Sequence, residues 1–412
     1  FPSFLDHIGI PKERIKILNP FDRNAYGSDI QAACQNVLAA DAIGESLAAS
    51  DKDEDNFFDG SAQLLLSSVM QFFMYEARNP ERTDYRWDLR DVILAAMSRE
   101  TMREMFEKYE ELQDGLRFVE KPNADVDRTI TRHIAPLKPI AALWQGRNTY
   151  DFRNWTNTND ILVIGYDARF PKQSGKINSL FMRLAMQAVL SQKIGPEVSD
   201  SWFFLEEFPR IFAAGNFDAF MSTAREYRGC VATVIQSVTQ VREIYRDKSD
   251  NILQGFANKA FFQSRGKAAE WASECCGSEE IIEQSEGDQM NAGGNYGTST
   301  NRAAKVKPLV MKEEFEQLPL LRHDGKIHGY FISSDLNDNP YYHRFTQKDL
   351  AHIWKEGGYA AQFDQVPDDD PSIDLKKWGK GEREELGLKE LDEGKGISHE
   401  NVKKRVFSWL SK

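Results

Sequence analysis

Residues 202–240 read WFFLEEFPRIFAAGNFDAFMSTAREYRGCVATVIQSVTQ. A four-residue apolar run, Trp202 to Leu205, ends in two adjacent carboxylates, Glu206 and Glu207. A helical segment ending in Arg225 follows, and then a second apolar run, VATVI, that stops at Gln236. Short apolar runs without alternation are the pattern of strands buried on both faces of a parallel sheet. Such sheets bind ligands outside the carboxyl ends of their strands. The stretch therefore predicts two neighbouring parallel strands whose polar termini, at Glu206, Glu207 and Gln236, share one functional edge.

An apolar strand closed by an acid pair has the layout of a Walker B motif, in which one acid holds Mg²⁺ and its neighbour orients a water. Each element alone is common, and an arginine after a helix is ordinarily solvated or ion-paired. Specificity comes from the order and spacing of all four. LEEF, then AREYRG, then QSVTQVREIY (Gln236 to Tyr245) follow one another without a gap. In that order they resemble the coupling ATPases of type IV secretion and conjugation systems, the TraG/TraD type within the FtsK/HerA group of DNA pumps. That family reads apolar strand, Asp-Glu, helix, Gly/Ala-Arg, strand, then Gln-Ser-x-x-Gln-hydrophobic-x-x-Tyr. One departure stands out: Glu206 occupies the place of the family's Asp.

The composition is compatible with this and excludes other classes. At 412 residues the chain is long enough for two or more domains. Its 41% hydrophobic and 28% charged content is that of a globular protein. No run approaches the 18 or so apolar residues of a membrane span. The beginning, FPSFLDHIGIPKER, lacks a signal-peptide core. Cys34, Cys230, Cys275 and Cys276 show no paired metal spacing, and with seven scattered histidines no structural zinc site is expected. The net charge of −12 disfavours an outer surface that coats nucleic acid. Half of that excess lies in residues 363–400, which carry twelve acids against six bases. A locally basic channel lining is therefore still compatible with the charge.

Outside the opening stretch, IKIL (Ile15 to Leu18) reads as a strand followed by an Asn-Pro turn. The resembled family has the same strand and hNPhD turn ahead of an inserted helical region. Helical periodicity is clear in Phe57 to Ala77 and in Trp87 to Ser98, whose aromatic and methionine stripes predict core packing. Strands are expected at Asp160 to Ala168, Asn258 to Ser264 and His328 to Ser334, with a long helix over Ile177 to Gln192. This alternation predicts a parallel sheet covered on both faces. Ser285 to Ala304 is rich in Gly, Asn and Ser and reads as a mobile polar loop. It precedes LVMKEEFEQLP (Leu309 to Pro319), which matches a family segment of the form lhxxEEhxxLP. Beyond Thr346 the chain is acidic and turn-rich, with a short amphipathic segment at Asn401 to Leu410.

A nucleotide pump also needs a phosphate-cradling loop, GxxxxGK followed by Ser or Thr. None occurs in the 412 residues. The nearest match, FPKQSGKI at 170–177, has Phe170 for the first Gly and Ile177 for the hydroxyl that would ligate Mg²⁺. Pro171 disfavours a nest of backbone N–H groups there. In the resembled family the phosphate loop lies just upstream of the strand equivalent to IKIL, so the expectation is that the membrane anchor and phosphate loop precede Phe1. On that expectation the present chain alone does not turn over ATP.

The resemblance implies an α/β fold: a RecA-like P-loop NTPase core with a parallel central sheet, interrupted by an all-α insertion domain. It divides the chain into residues 1–27 (part of the nucleotide-binding domain), 28–150 (insertion), 151–345 (nucleotide-binding domain) and 346–412 (acidic tail). It also implies ATP and Mg²⁺ as cofactors, with Glu206 holding the metal indirectly. Glu207 would be the general base, Arg225 an arginine finger acting on the neighbouring subunit, and Gln236 a γ-phosphate sensor. Partners implied are five further copies in a hexamer, type IV channel components, relaxase–DNA or effector cargo, and an adaptor on the acidic tail. The site of action would be the cytoplasmic face of the bacterial inner membrane. Two other readings fit the residues: a non-catalytic scaffold that recruits substrates, and a related DNA translocase with no secretion role.

Overall fold

In the computed structural model of the chain, the residues described are 5, 8–19, 21–22, 25–48, 56–82, 85–120, 124–140, 148–195, 197–206, 217–290, 296–336 and 339–350. They divide into two compact units, with the boundary between Val234 and Ile235.

The first unit is built on parallel strand pairs. Strand β1 (Ile15–Leu18) coincides with the sequence run IKIL. Past Asn19 comes a short strand β2 (Gly27–Ser28), where the chain leaves for a helical excursion. The excursion contains α1 (Val37–Ala48), α2 (Asn56–Arg78), α3 (Leu89–Ala96) and α4 (Arg99–Phe106). The chain returns in β3 (Thr149–Tyr150), which pairs parallel with β2, so exit and re-entry lie side by side. Strand β4 (Ile161–Ile164) then pairs parallel with β1 over four residues, Ile15 against Ile161 through Leu18 against Ile164.

The apolar stripes of the excursion form its core. Leu65, Leu66, Val69, Met70 and Phe73 of α2 are fully buried, and Phe73 stacks on Trp87 at 5.6 Å. Burying each such side chain contributes roughly 1.5–3 kcal/mol. Helix α3 begins with a reciprocal cap in which Asp88 and Asp91 each accept the other's backbone N–H, satisfying two of the donors a helix start leaves open. The one deeply buried acid of α2, Glu76, accepts a hydrogen bond from Tyr109 Oη at 2.9 Å and faces Arg82 at 3.0 Å. A buried carboxylate needs such partners to keep its charge.

Helix α5 (Pro171–Leu190) follows β4, with proline in its first turn, where the missing N–H costs nothing. The segment FPKQSGKI is therefore the start of a helix and not a loop. Lys176 Nζ donates to Leu47 O at 2.9 Å at the carboxyl end of α1, as a helix dipole favours. Strand β5 (Ser201–Leu205) comes next, then α6 (Phe217–Thr223) and β6 (Gly229–Thr233). Strands β5 and β6 pair parallel in register, from Ser201 against Gly229 to Leu205 against Thr233. One face of β5 departs from the expectation of a sheet covered on both sides. Phe203 and Leu205 are buried, whereas Trp202 and Phe204 are 52% and 73% exposed and stack on each other at 5.8 Å.

The second unit starts with α7 (Val238–Tyr245) and β7 (Lys259–Phe261). Helix α8 (Lys267–Cys276) leads into β8 (Ser278–Met290), which pairs antiparallel with β9 (Tyr296–Pro308) over thirteen residue pairs. Most of the stretch expected to be a polar loop is thus a two-stranded ribbon. Its polar sequence follows from having no core to face, since every described side chain from Arg302 to Pro308 is exposed. Helix α9 (Lys312–Gln317) brings the LVMKEEFEQLP segment into the unit's core, where Val310, Phe315 and Leu318 pack with Phe261, Ala272 and Ile332. Strand β10 (Lys326–Ile332) pairs antiparallel with both β7 and β11 (Tyr341–Thr346). This corrects the expectation that all strands join a parallel sheet. The connection from β10 to β11 is too short for a crossover, so the chain can only reverse. The amphipathic segment at 401–410 and the acidic tail lie outside the described residues.

Candidate functional site

The carboxyl edge of β5 and β6 is fastened by one carbonyl. Leu205 O accepts the backbone N–H of Val234 at 3.0 Å and the hydroxyl of Thr233 at 3.1 Å. The two strands therefore end level, and Glu206 follows directly on that tie, exposed to solvent. A carboxylate held by rigid strand ends and open to solvent can accept a hydrated divalent cation. Mg²⁺ takes oxygen ligands, commonly one or two carboxylates with waters and substrate phosphates. Glu206 is an oxygen donor of the right kind, so the donor chemistry fits a Mg²⁺–nucleotide. Glu207 lies outside the described residues.

Arg225 sits at the other end of the pair. It belongs to a single 3₁₀ turn, Ala224–Tyr227, between α6 and the amino end of β6, and it is exposed. The turn closes on Arg228, which adopts a left-handed backbone (φ 57°) and whose guanidinium meets Asp200 at 2.7 Å. The carbonyl of Arg228 accepts the N–H of Ser201 at 2.9 Å, fixing the amino ends of both strands. Gly229 must be glycine for lack of room: a Cβ there would lie 2.9 Å from Ala224 Cβ and 3.3 Å from Phe220. The AREYRG motif thus encodes a tight helix-to-strand turn that presents Arg225. Strands of five residues extend roughly 16 Å at 3.3 Å per residue. Glu206 and Arg225 therefore flank the strand pair from opposite ends and do not converge.

Gln236 is the second residue of the second unit, three residues beyond Thr233, and is exposed just ahead of α7. Its exposure is compatible with contact to a ligand.

A second carboxyl edge escaped attention as a site in the sequence. At the ends of β1 and β4, Asn19 Oδ1 accepts the N–H of Phe21 at 3.0 Å, and Leu18 O accepts that of Gly165 at 2.9 Å. Asn178, buried in α5, donates to Gly165 O at 3.0 Å. A Cβ at Gly165 would meet Asn19 at 2.8 Å, so this corner too is shaped by close approach. Beside it Asp167 takes two hydrogen bonds from the Arg169 guanidinium, at 3.0 and 2.7 Å, which hold its carboxyl below the usual carboxylate range. The Asn-Pro turn in the sequence was the signal for this corner.

Other chemistries find no support in these residues. All four cysteines are free, and burial pushes their thiols up, Cys34 and Cys276 to about 12, so none is poised as a thiolate. Among the described residues no group of three or more His, Cys, Asp or Glu side chains could enclose a metal. Among the same residues no helix is long and apolar enough to cross a membrane.

Comparison with known proteins agrees with this fold. Residues 3–332 match the family described as the type IV secretion-system coupling protein DNA-binding domain. Coupling protein TraD of Escherichia coli (strain K12) is 24% identical over 326 residues, which are 74% of this chain and 43% of TraD. The chain thus spans less than half the length of that relative. Among solved structures, the unbound conjugative coupling protein TrwBdeltaN70 superposes with a TM-score of 0.61 at 15% identity, covering 80% of this chain and 73% of that one. TrwB in complex with the non-hydrolysable ATP analogue ADPNP gives a TM-score of 0.62 at 13% identity, covering 83% and 75%. The strand pairs, the helical excursion and the α/β architecture are those of the TrwB fold. The chain belongs to the type IV secretion-system coupling protein family.

Proposed function

We propose that this chain forms most of the motor region of a coupling ATPase that recruits a DNA–protein or protein cargo and drives it into a type IV secretion channel at the cytoplasmic face of the inner membrane. The observation that carries this reading is the parallel β5–β6 pair, with Glu206 at its carboxyl edge and Arg225 beyond its amino edge. TrwB has been captured with ADP and Mg²⁺ and with ADPNP, which supports nucleotide and Mg²⁺ binding here.

In this reading residues 151–345 and 1–27 belong to the nucleotide-binding domain, 28–150 to the helical insertion, and 346–412 to an acidic tail that receives an adaptor. Bound Mg²⁺ would neutralise charge on the nucleotide phosphates; Glu206 would hold it, through water given the longer glutamate arm. Glu207 accepts the proton of the attacking water. Gln236 contacts the γ-phosphate and transmits its loss to channel-lining loops. Arg225 cannot serve the edge that its own Glu206 occupies, so it stabilises transition-state charge in a neighbouring subunit's site, and the working form is a ring, a hexamer by the family resemblance. The phosphate-gripping loop is not among these 412 residues, so the chain by itself does not hydrolyse ATP.

The test is Mg²⁺-dependent ATP hydrolysis by the protein expressed from its complete reading frame, with E207Q beside it. Hydrolysis in the wild type, its loss in E207Q and unchanged nucleotide binding in both are the expected results. Absence of hydrolysis and of nucleotide binding in the wild type would favour the non-catalytic scaffold, which the Glu at position 206 also suits.

A further inference from the structure

The β8–β9 ribbon is paired only with itself among the described residues, leaving the outer edges of both strands open. Open edges present unpaired N–H and C=O groups, which proteins ordinarily cover or protect. The two strands differ sharply in charge. Strand β8 carries five carboxylates and no base, and β9 carries Arg302, Lys305 and Lys307 and no acid. The register places Glu280, Ile282 and Val306 on one face, where Ile282 and Val306 are each 69% exposed. The opposite face carries Glu279 and Glu283 with Lys305 and Lys307. Lys305 lies 3.3 Å from Glu283, and both side chains are more than half exposed, so the pair contributes little.

We propose that this ribbon is an assembly device: the acidic edge of β8 pairs with the basic edge of β9 in a second copy of the same chain. A second copy is the occupant that carries the complementary charge by construction. Edge pairing satisfies the open backbone groups and sets acids beside bases at cross-strand positions, on both faces. It also covers Ile282 and Val306. The contact is head to tail, so it repeats from copy to copy and generates a ring when the rotation closes. The edge contact is independent of any catalytic role; its closure into a ring rests on the assembly proposed above.

The experiment exchanges the charges of the two strands in the complete protein: E279K/E280K/E283K/E286K/D288K together with R302E/K305E/K307E. This variant keeps opposite charges across its own ribbon, so the ribbon folds. It also keeps a complementary edge for its own kind and presents like charge to the wild type. Sedimentation reads self-association of each protein, and energy transfer between labelled subunits reads mixing. The expected result is that wild type and variant each self-associate to a similar degree, while mixed assemblies fall at least ten-fold below random mixing at low salt. Random mixing of two self-associating proteins would overturn the ribbon contact and leave the ring reading intact. A monomeric wild type would overturn both.

Discussion

Glu206 and Arg225 stand at opposite ends of one strand pair, the first just past the carboxyl end of β5 and the second just before the amino end of β6. In the proposed function Arg225 acts on a site belonging to another subunit, because the edge that its own Glu206 occupies lies at the far end of the strand pair. Removal of a finger supplied in this way typically lowers turnover by roughly 10³–10⁵. R225A in the complete protein is expected to lose at least 10³ in kcat with nucleotide affinity changed less than about ten-fold. Steady-state hydrolysis and nucleotide binding together check this.

Thr233 ties the carboxyl edge through its hydroxyl bond to Leu205 O, while the Val234 N–H bond to the same carbonyl does not involve the side chain. T233V keeps the β-branched shape and removes one hydrogen bond. A stability loss of about 1 kcal/mol in denaturant unfolding is expected. A larger relative loss in hydrolysis than in stability would follow from a displaced Glu206.

Gly229 is fixed by space and not by a left-handed backbone, since a Cβ would press on Ala224 and Phe220. G229A is expected to destabilise the first unit by about 1–3 kcal/mol, the cost of overpacking. It should also move the turn that carries Arg225, so hydrolysis falls even at temperatures where the protein stays folded. Thermal unfolding and activity at low temperature separate the two effects.

The sequence was most legible where one physical cause dominates. IKIL and SWFFL are strands because short runs rich in β-branched and aromatic residues suit a pleated, half-buried surface, and the stripe from Phe57 to Ala77 is helical because its period is that of a helix. The segment FPKQSGKI was recognised as a poor phosphate loop, and the reason is now visible: Pro171 starts a helix through it. The ribbon was missed because its residues alternate without any apolar face, and the alternation signal needs a core to act on. The antiparallel β7–β10–β11 arrangement is not legible in the sequence because strand composition does not encode direction; for β10 and β11 the short connection sets it. The separation of Glu206 from Arg225 depends on strand register, which spacing along the chain does not reveal.

His133 gives a pH-dependent handle on the helical excursion. It is buried, lies 3.1 Å from Asp59 and 3.3 Å from Ala48 O, and burial lowers its pKa below the ordinary 6.5. The unfolded chain therefore binds more protons than the folded one as pH falls through 6.5. The stability contributed by neutral His133 is present above that value and is lost below it, toward the folded pKa. H133Q can still donate to Ala48 O and does not titrate. The wild type is expected to lose more stability than H133Q between pH 7 and pH 5, measured by thermal unfolding. Equal losses would place the pH sensitivity elsewhere.

The central claim is that each site is completed by a neighbour, and mixing two inactive proteins tests it most directly. In the proposed roles E207Q lacks the base and R225A lacks the finger, so each alone should be inactive in ATP hydrolysis. In mixed assemblies some interfaces join the intact Glu207 of an R225A subunit to the intact Arg225 of an E207Q subunit. The account predicts that an equimolar mixture recovers a substantial fraction, roughly a quarter for random mixing, of wild-type hydrolysis. A mixture as inactive as its components, with subunit exchange verified, would contradict it.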